Sequence, residues 1–157
     1  MTDYRLIPRH ATAAQADALR RIDLACQELR PIEDRYYLDR RINSEVPQLF
    51  AKHGVLGFMI PQEYGGLGTD VPLYAWGMER IGQEGTGPRT FFSCHISIGS
   101  SVVVYWGNSE QKQRYLPDAA TGKRIFGFGL TEPDAGSNPA AMQTRFEKTS
   151  AGYVLNG

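Results

Sequence analysis

Between Arg89 and Glu110 the chain carries no Asp, Glu, Lys or Arg. An uncharged run of that length approaches the span of a bilayer, so it must lie in lipid or against a protein core. Its composition decides between the two. Ser93, His95, Ser97, Gly99, Ser100 and Ser101 make the run too polar for a lipid-facing span. Small residues on a helix instead let neighbouring elements approach closely. The run therefore reads as a helix, about Arg89 to Tyr105, that is central and mostly buried in an α-helical bundle.

The rest of the composition fits such a bundle. The chain has 157 residues, 41% hydrophobic and 22% charged. That is one domain, or one domain plus a piece, with enough chain to bury a core. Lys plus Arg number 17, as do Asp plus Glu, so formal net charge is zero. Nothing electrostatic points to nucleic acid or an anionic membrane. The N-terminus lacks the apolar core of a signal peptide. Cys26 and Cys94 read as reduced, buried thiols of a cytoplasmic protein. His10, His53 and His95 are scattered without zinc spacing.

In chain order, residues 1–11 read as a loose leader containing Pro8. Thr12 is an N-cap for a helix to about Arg30, with Leu19, Ile22, Cys26 and Leu29 on one apolar face. Pro31 is expected to end or kink it. Residues 33–45, dense in charge around Tyr36, Tyr37, Leu38 and Ile42, read as a solvated helix or helix-loop. Pro47 opens a short helix, Gln48 to His53, closed by Gly54. Val55 to Ile60 is an apolar connector into a glycine-rich loop, Pro61 to Gly68, read as a structural turn. Thr69 or Asp70 caps a helix over about Val71 to Glu84, with Leu73, Trp76, Gly77, Arg80 and Ile81 on one side. Ser109 caps a short helix through Tyr115, and Pro117 to Gly122 turn towards a strand at Ile125-Phe126. Ala141 to Glu147 and Tyr153 to Asn156 read as strands joined at Ser150-Ala151-Gly152. The whole is a mainly α fold with a small β portion. Its expected division is a helical domain, residues 1–124, followed by the start of a β-domain, residues 125–157.

The stretch that points to chemistry is Gly127-Phe128-Gly129-Leu130-Thr131-Glu132-Pro133-Asp134-Ala135-Gly136-Ser137. Thr131, Glu132 and Pro133 stop the preceding strand. The small residues after them, with a positive-φ glycine expected at Gly136, allow a tight turn that presents backbone N–H groups. Such a loop suits an anion such as a pyrophosphate. Phe128 and Leu130 can lie against a flat ring while Thr131 hydrogen-bonds its edge. Neither Gly127-x-Gly129 nor Gly65-Gly66-x-Gly68 has dinucleotide-fingerprint spacing. An ordinary strand-to-turn corner accounts for the same residues.

Phe128-Gly129-Leu130-Thr131-Glu132-Pro133-x-Ala135-Gly136-Ser137 resembles the signature of the acyl-CoA dehydrogenases, where their middle β-domain begins. Three further segments are similar to that family in the same order. They are Ile60 to Gly68 with its Pro-x-x-Tyr-Gly-Gly-x-Gly core, Gly107 to Pro117 with Glu-Gln-Lys-x-Arg-Tyr-Leu-Pro, and Gly152-Tyr153-Val154-Leu155-Asn156-Gly157. The resemblance covers roughly residues 15 to 157.

It implies an FAD enzyme that oxidises an acyl-CoA thioester to its 2,3-enoyl form. A glutamate base removes the α-proton while the β-hydride passes to the flavin. Phe128, Leu130 and Thr131 are then flavin-ring contacts. Gly136 and Ser137 face the flavin pyrophosphate and the acyl-CoA path, Ser137 being also a substrate contact. Asn138 stands where the family usually has aspartate. The family's base comes from a C-terminal helical domain, and none of Glu63, Glu79, Glu84, Glu110, Glu132 or Glu147 matches it. This chain alone is therefore expected to be incomplete and inactive. Thr86-Gly87-Pro88-Arg89-Thr90 resembles a stretch of the glutaryl-CoA dehydrogenases whose arginine binds the substrate's distal carboxylate, which makes Arg89 a substrate candidate. An arginine at that point can equally be a helix-end residue reaching solvent. Implied partners are an acyl-CoA, an electron-transfer flavoprotein or similar acceptor, and further copies of the complete chain, in fatty acid metabolism. The contrasting expectation is a non-catalytic remnant or binding module that keeps the helical fold.

Overall fold

The computed structural model describes residues 11–41 and 43–157. The expected leader, save Ala11, and Ile42 lie outside the described residues. Two compact units are present, one reaching Gly127 and the other running from Phe128 to Gly157.

The first unit is helical. α1 (Ala13–Leu38) starts at Thr12, whose Oγ1 accepts the Gln15 N–H at 3.2 Å while Gln15 Oε1 accepts the Thr12 N–H at 3.0 Å. This reciprocal pair satisfies two amides that the first turn leaves without partners. Ala18, Leu19, Ile22, Ala25, Cys26 and Leu29 form its buried stripe. Of the two outcomes expected at Pro31, an end to α1 does not occur; the proline sits inside the helix. Tertiary bonds on either side of it hold the helix together. Arg30 makes a bidentate pair with Glu84, Glu33 accepts from Asn43 at 2.8 Å, and Arg35 pairs with Glu45 at 2.6 Å.

α2 (Val46–Lys52) carries Pro47 in its first turn. The apolar connector is a short 3-10 turn, Val55–Gly57, whose residues are all buried. The glycine-rich loop folds back on this connector. Leu67 N–H donates to Gly57 O at 2.8 Å, Gly68 N–H to Ile60 O at 2.9 Å and Thr69 N–H to Phe58 O at 3.0 Å. A Cβ at Gly66 would stand 2.0 Å from Ile60 O, so only glycine lets the two strands of this loop meet. α3 (Val71–Gly82) is capped by Asp70, whose Oδ1 accepts the Leu73 N–H at 3.0 Å.

The long uncharged run is three pieces. α4 (Thr86–His95) begins three residues earlier than expected and leads into one π-helical turn (Ile96–Ser100). α5 (Ser101–Trp106) continues from that turn. Pro88, Phe92, His95, Ile96, Gly99, Ser100 and Ser101 are buried. Ile98, Val102, Tyr105 and Trp106 are exposed. The run is thus buried on one face and not mostly enclosed, with α3 packed on α4 and α6 on α5. Among the described residues no helix is long and apolar enough to cross a membrane.

α6 (Ser109–Ala120) is capped by Asn108, not Ser109, through a reciprocal pair with Gln111. It also runs past Tyr115 with Pro117 inside it. Buried Leu116, Ala119 and Ala120 hold its last turn against Ile60, and Phe126 packs on this group. Ile125-Phe126 is not a strand.

The second unit holds one antiparallel hairpin. β1 (Arg145–Thr149) pairs with β2 (Gly152–Asn156) in the register Arg145 to Asn156 through Thr149 to Gly152. β1 starts four residues later than expected because Pro139–Ala141 form a 3-10 turn. Both strands are exposed on both faces. A two-stranded ribbon of this kind has little stability of its own.

Candidate functional site

The segment that enters Gly127-Phe128 is fixed from the helical side by His95. This side chain is fully buried at the junction of α4 with the π turn. Its Nδ1 accepts the Phe126 N–H at 3.1 Å, and its Nε2 lies 3.2 Å from Ala119 O. A backbone amide can only donate and a carbonyl can only accept. The ring is therefore neutral, with its proton on Nε2. Burial pushes its proton affinity below the ordinary imidazole value, more than the Ala119 and Leu56 carbonyls raise it. Phe126 packs where a side chain on Gly99 would intrude, since a Cβ there would lie 2.6 Å from Phe126 Cβ. The π turn and its glycine thus make room for the exit of the chain from the helical unit.

In the second unit, the turn after Thr131 is closed by a two-bond bridge. Glu132 N–H donates to Ala135 O at 2.7 Å and Ala135 N–H returns to Glu132 O at 3.3 Å. Pro133 and Asp134 form the corner and Ala135 is buried. Gly136 does not adopt positive φ, contrary to expectation. The bridge places the reversal at Pro133-Asp134, where ordinary dihedrals suffice. A Cβ at Gly136 would lie 3.7 Å from Thr131 Cγ2, so the turn brings Thr131 and Gly136 side by side.

Glu132 ties the turn to the residues just before β1. Its Oε2 accepts the Gln143 N–H at 2.8 Å and its Oε1 the Thr144 N–H at 2.9 Å. Hydrogen bonding from Thr144 and then Gln143 holds this carboxyl below the usual carboxylate range. Replacing it is expected to free both amides. In Glu132→Ala, amide exchange at Gln143 and Thr144 should accelerate while exchange across the β1–β2 ladder stays near wild type. Unchanged exchange at Gln143 and Thr144 is the contrary result.

Phe128 and Leu130 stand outside regular secondary structure, Phe128 exposed and Leu130 half-buried. Thr131, Gly136 and Ser137 are exposed. Among the described residues no hydrogen bond engages the backbone N–H groups of Phe128 to Thr131, or of Gly136 and Ser137. These six amides, beside an exposed aromatic ring, are open to an external acceptor. Arg89 belongs to the helical unit, at the end of the first turn of α4. It is half-buried, its stem packed over Gly82, where a Cβ would meet Arg89 Cδ at 3.3 Å. No acidic partner engages its guanidinium among the described residues.

A general base needs a carboxylate that is free to take up a proton. Glu132 stands in the loop, but amides occupy both its oxygens. Glu84 is almost fully buried between Arg30 and Arg80. Sequence reasoning missed the roles of Glu132 and His95; the one signal for His95 was a lone imidazole within an otherwise uncharged run. The free Cys26 is buried, its thiol pushed up to about 12 by burial, whereas Cys94 is only half-buried, not buried as expected.

Residues 12–123 match the family model for the acyl-CoA dehydrogenase N-terminal domain. An acyl-CoA dehydrogenase of Bacillus subtilis is 33% identical over 135 residues, which is 86% of this chain and 36% of that protein. A 3-(aryl)acrylate reductase of Clostridium sporogenes gives the same identity and coverage. Among solved structures, an acyl-CoA dehydrogenase of Bacillus anthracis complexed with FAD superposes with a TM-score of 0.81 at 33% identity. The match covers 96% of this chain and 26% of that one. A glutaryl-CoA dehydrogenase of Mycobacterium smegmatis in complex with FADH2 has a TM-score of 0.81 at 31% identity, over 99% of this chain and 39% of that one. The chain spans about a third of the length of the curated relatives it matches.

Proposed function

We propose, on the premise that this chain belongs to the acyl-CoA dehydrogenase family, that it carries the flavin- and substrate-contacting part of an FAD-dependent oxidoreductase acting on acyl-CoA thioesters. The observation that carries the reading is the set of open amides at Phe128 to Thr131 and at Gly136 and Ser137. Their donors suit the edge of a flavin ring and a pyrophosphate, and Phe128 and Leu130 offer the apolar surface that a flat ring needs. FAD, when bound, supplies a hydride acceptor that no side chain can provide. Phe128 and Leu130 cover the ring and keep water from it. Thr131 donates to its edge. Gly136 and Ser137 meet the pyrophosphate and the acyl-CoA path.

Removal of the α-proton needs a carboxylate in the right place with the right proton affinity. Glu132 and Glu84 are committed to structural partners. The base is therefore proposed to come from outside these residues, and this chain alone to be inactive. The test is FAD and acyl-CoA together with the purified chain. FAD binding without enoyl-CoA formation is expected. Steady enoyl-CoA formation would overturn the absence of a base.

Arg89 is proposed to receive the distal carboxylate of a dicarboxylyl-CoA, its guanidinium having no acidic partner among the described residues of the helical unit. Arg89→Ala is expected to weaken dicarboxylyl-CoA affinity about tenfold or more, the loss of one charge-assisted bond, with plain acyl-CoA unchanged. Equal losses on both would leave Arg89 a packing residue. An electron-transfer flavoprotein or similar acceptor, homo-oligomerisation, a place in fatty acid metabolism and a cytoplasmic location complete the proposal.

A further inference from the structure

We propose that His95 is a positioning residue, a neutral clip that fixes where the chain leaves the helical unit and so holds the entry to Phe128–Thr131. This rests on the flavin reading of that segment only for its consequence, not for the clip itself.

The geometry is that of a two-sided connector. Nε2–H donates to Ala119 O at 3.2 Å, at the C-terminal turn of α6, and Nδ1 accepts the Phe126 N–H at 3.1 Å. One imidazole thus bonds two segments from a third, at the residue that leads into the π turn. Phe91 stacks on the ring at 6.2 Å with an interplanar angle of 6°, and Phe126 tilts against it at 6.2 Å. Phe91, Ala119, Phe126 and the Leu56 carbonyl, which bond to or stack on the ring, carry no titratable side chain, and no charged group shifts its proton affinity. Phe126 has no other partner for its amide among the described residues, and Gly127, the next residue, meets nothing within 4 Å of a Cβ built on it. Without the clip, no described hydrogen bond holds the backbone at Phe126, and only the packing of its ring remains.

The clip works in one protonation state. A protonated ring presents N–H at both nitrogens, and Nδ1–H then faces the Phe126 N–H, donor against donor. Burial without a charged neighbour disfavours that state in the folded chain. The unfolded chain takes up the proton that the folded ring refuses. The associated stability is therefore intact above the ordinary imidazole range and declines as pH falls below it.

Amide exchange on the 157-residue chain tests this, expressed as protection relative to intrinsic exchange. Phe126 protection should fall by up to about tenfold per pH unit as the pH drops below the ordinary imidazole range, and level off once the folded ring is itself protonated. In His95→Gln, whose amide can accept and donate in the same directions, protection should persist and lose its pH dependence. In His95→Leu it should be absent at every pH. A flat profile in wild type overturns the clip, as does full Phe126 protection in folded His95→Leu; if that variant does not fold, the wild-type and Gln profiles still decide. FAD titration of the same proteins separates the two readings. If FAD binds none of them while protection follows the expected pattern, the clip stands and the flavin reading falls. If FAD binds wild type equally across the same pH range in which protection collapses, the positioning role is overturned.

Discussion

Phe92→Ala is expected to lower the stability of the helical unit by about 3–5 kcal/mol. Phe92 is fully buried in α4 and sits at the centre of the core's aromatic group. Tyr74 stacks on it at 5.7 Å, while Phe58 and Phe50 meet it edge-on at 5.8 and 6.1 Å. These rings come from α2, the 55–60 connector, α3 and α4, so the cavity left by alanine opens where four segments meet. No single neighbour can move in to fill it, since each is also held by its own element. A loss of that size is a large share of the roughly 5–15 kcal/mol that holds a domain folded. Tyr37→Ala, at a residue 80% exposed, should stay within about 0.5 kcal/mol of wild type. Urea midpoints of the two variants make the comparison. Similar small shifts in both would mean that Phe92 is not the centre of this core.

The second large effect is expected at Arg80. Its side chain is 8% exposed and Glu84's is 1% exposed. Arg80 pairs with Asp23 at 2.9 Å and with Glu84, which also receives the fork of Arg30 at 2.8 Å. Burial raises the proton affinity of Glu84, but hydrogen bonds from Arg30 and Arg80 outweigh it and the net direction is down. Arg80→Met removes the inner cation and leaves the buried carboxylate with one exposed arginine. The expected cost is about 3–5 kcal/mol. Replacing both partners, Arg80→Met with Glu84→Leu, should recover much of it, because an apolar pair needs no compensation. A depressed carboxylate contributes stability above its unfolded value and loses it as pH falls through its folded one. Wild type should therefore lose this stabilisation only below the ordinary carboxylate range. A double variant no more stable than Arg80→Met contradicts the account.

Helix starts with a local side-chain cap were legible to within a residue: Thr12 directly, Asp70 as one of two candidates with Thr69, and Asn108 taken one residue late as Ser109. The stripes of α1 and α3 were legible from spacing alone. Helix ends were not. Pro31 and Pro117 each lack a donor, and local rules stop a helix there. Ion pairs around the first, and burial of Leu116, Ala119 and Ala120 around the second, carry the helix through. Ile125-Phe126 has the composition of a strand, yet the Phe126 amide goes to an imidazole thirty-one residues away. No local pattern encodes that pairing. The loop residues Phe128, Leu130, Thr131, Gly136 and Ser137 were singled out by resemblance alone. The means of shaping that loop were not, since the Glu132 clamp depends on amides eleven and twelve residues downstream.

The central claim is that Phe128–Thr131 and Gly136-Ser137 meet a flavin. The most direct measurement is a titration of FAD into the isotopically labelled chain, followed by amide chemical shifts. The account predicts weak binding with shifts concentrated at Phe128 to Thr131, Gly136 and Ser137, abolished by Phe128→Ala with the helical core undisturbed. Shifts confined to the helical unit, or none at saturating FAD, would contradict it.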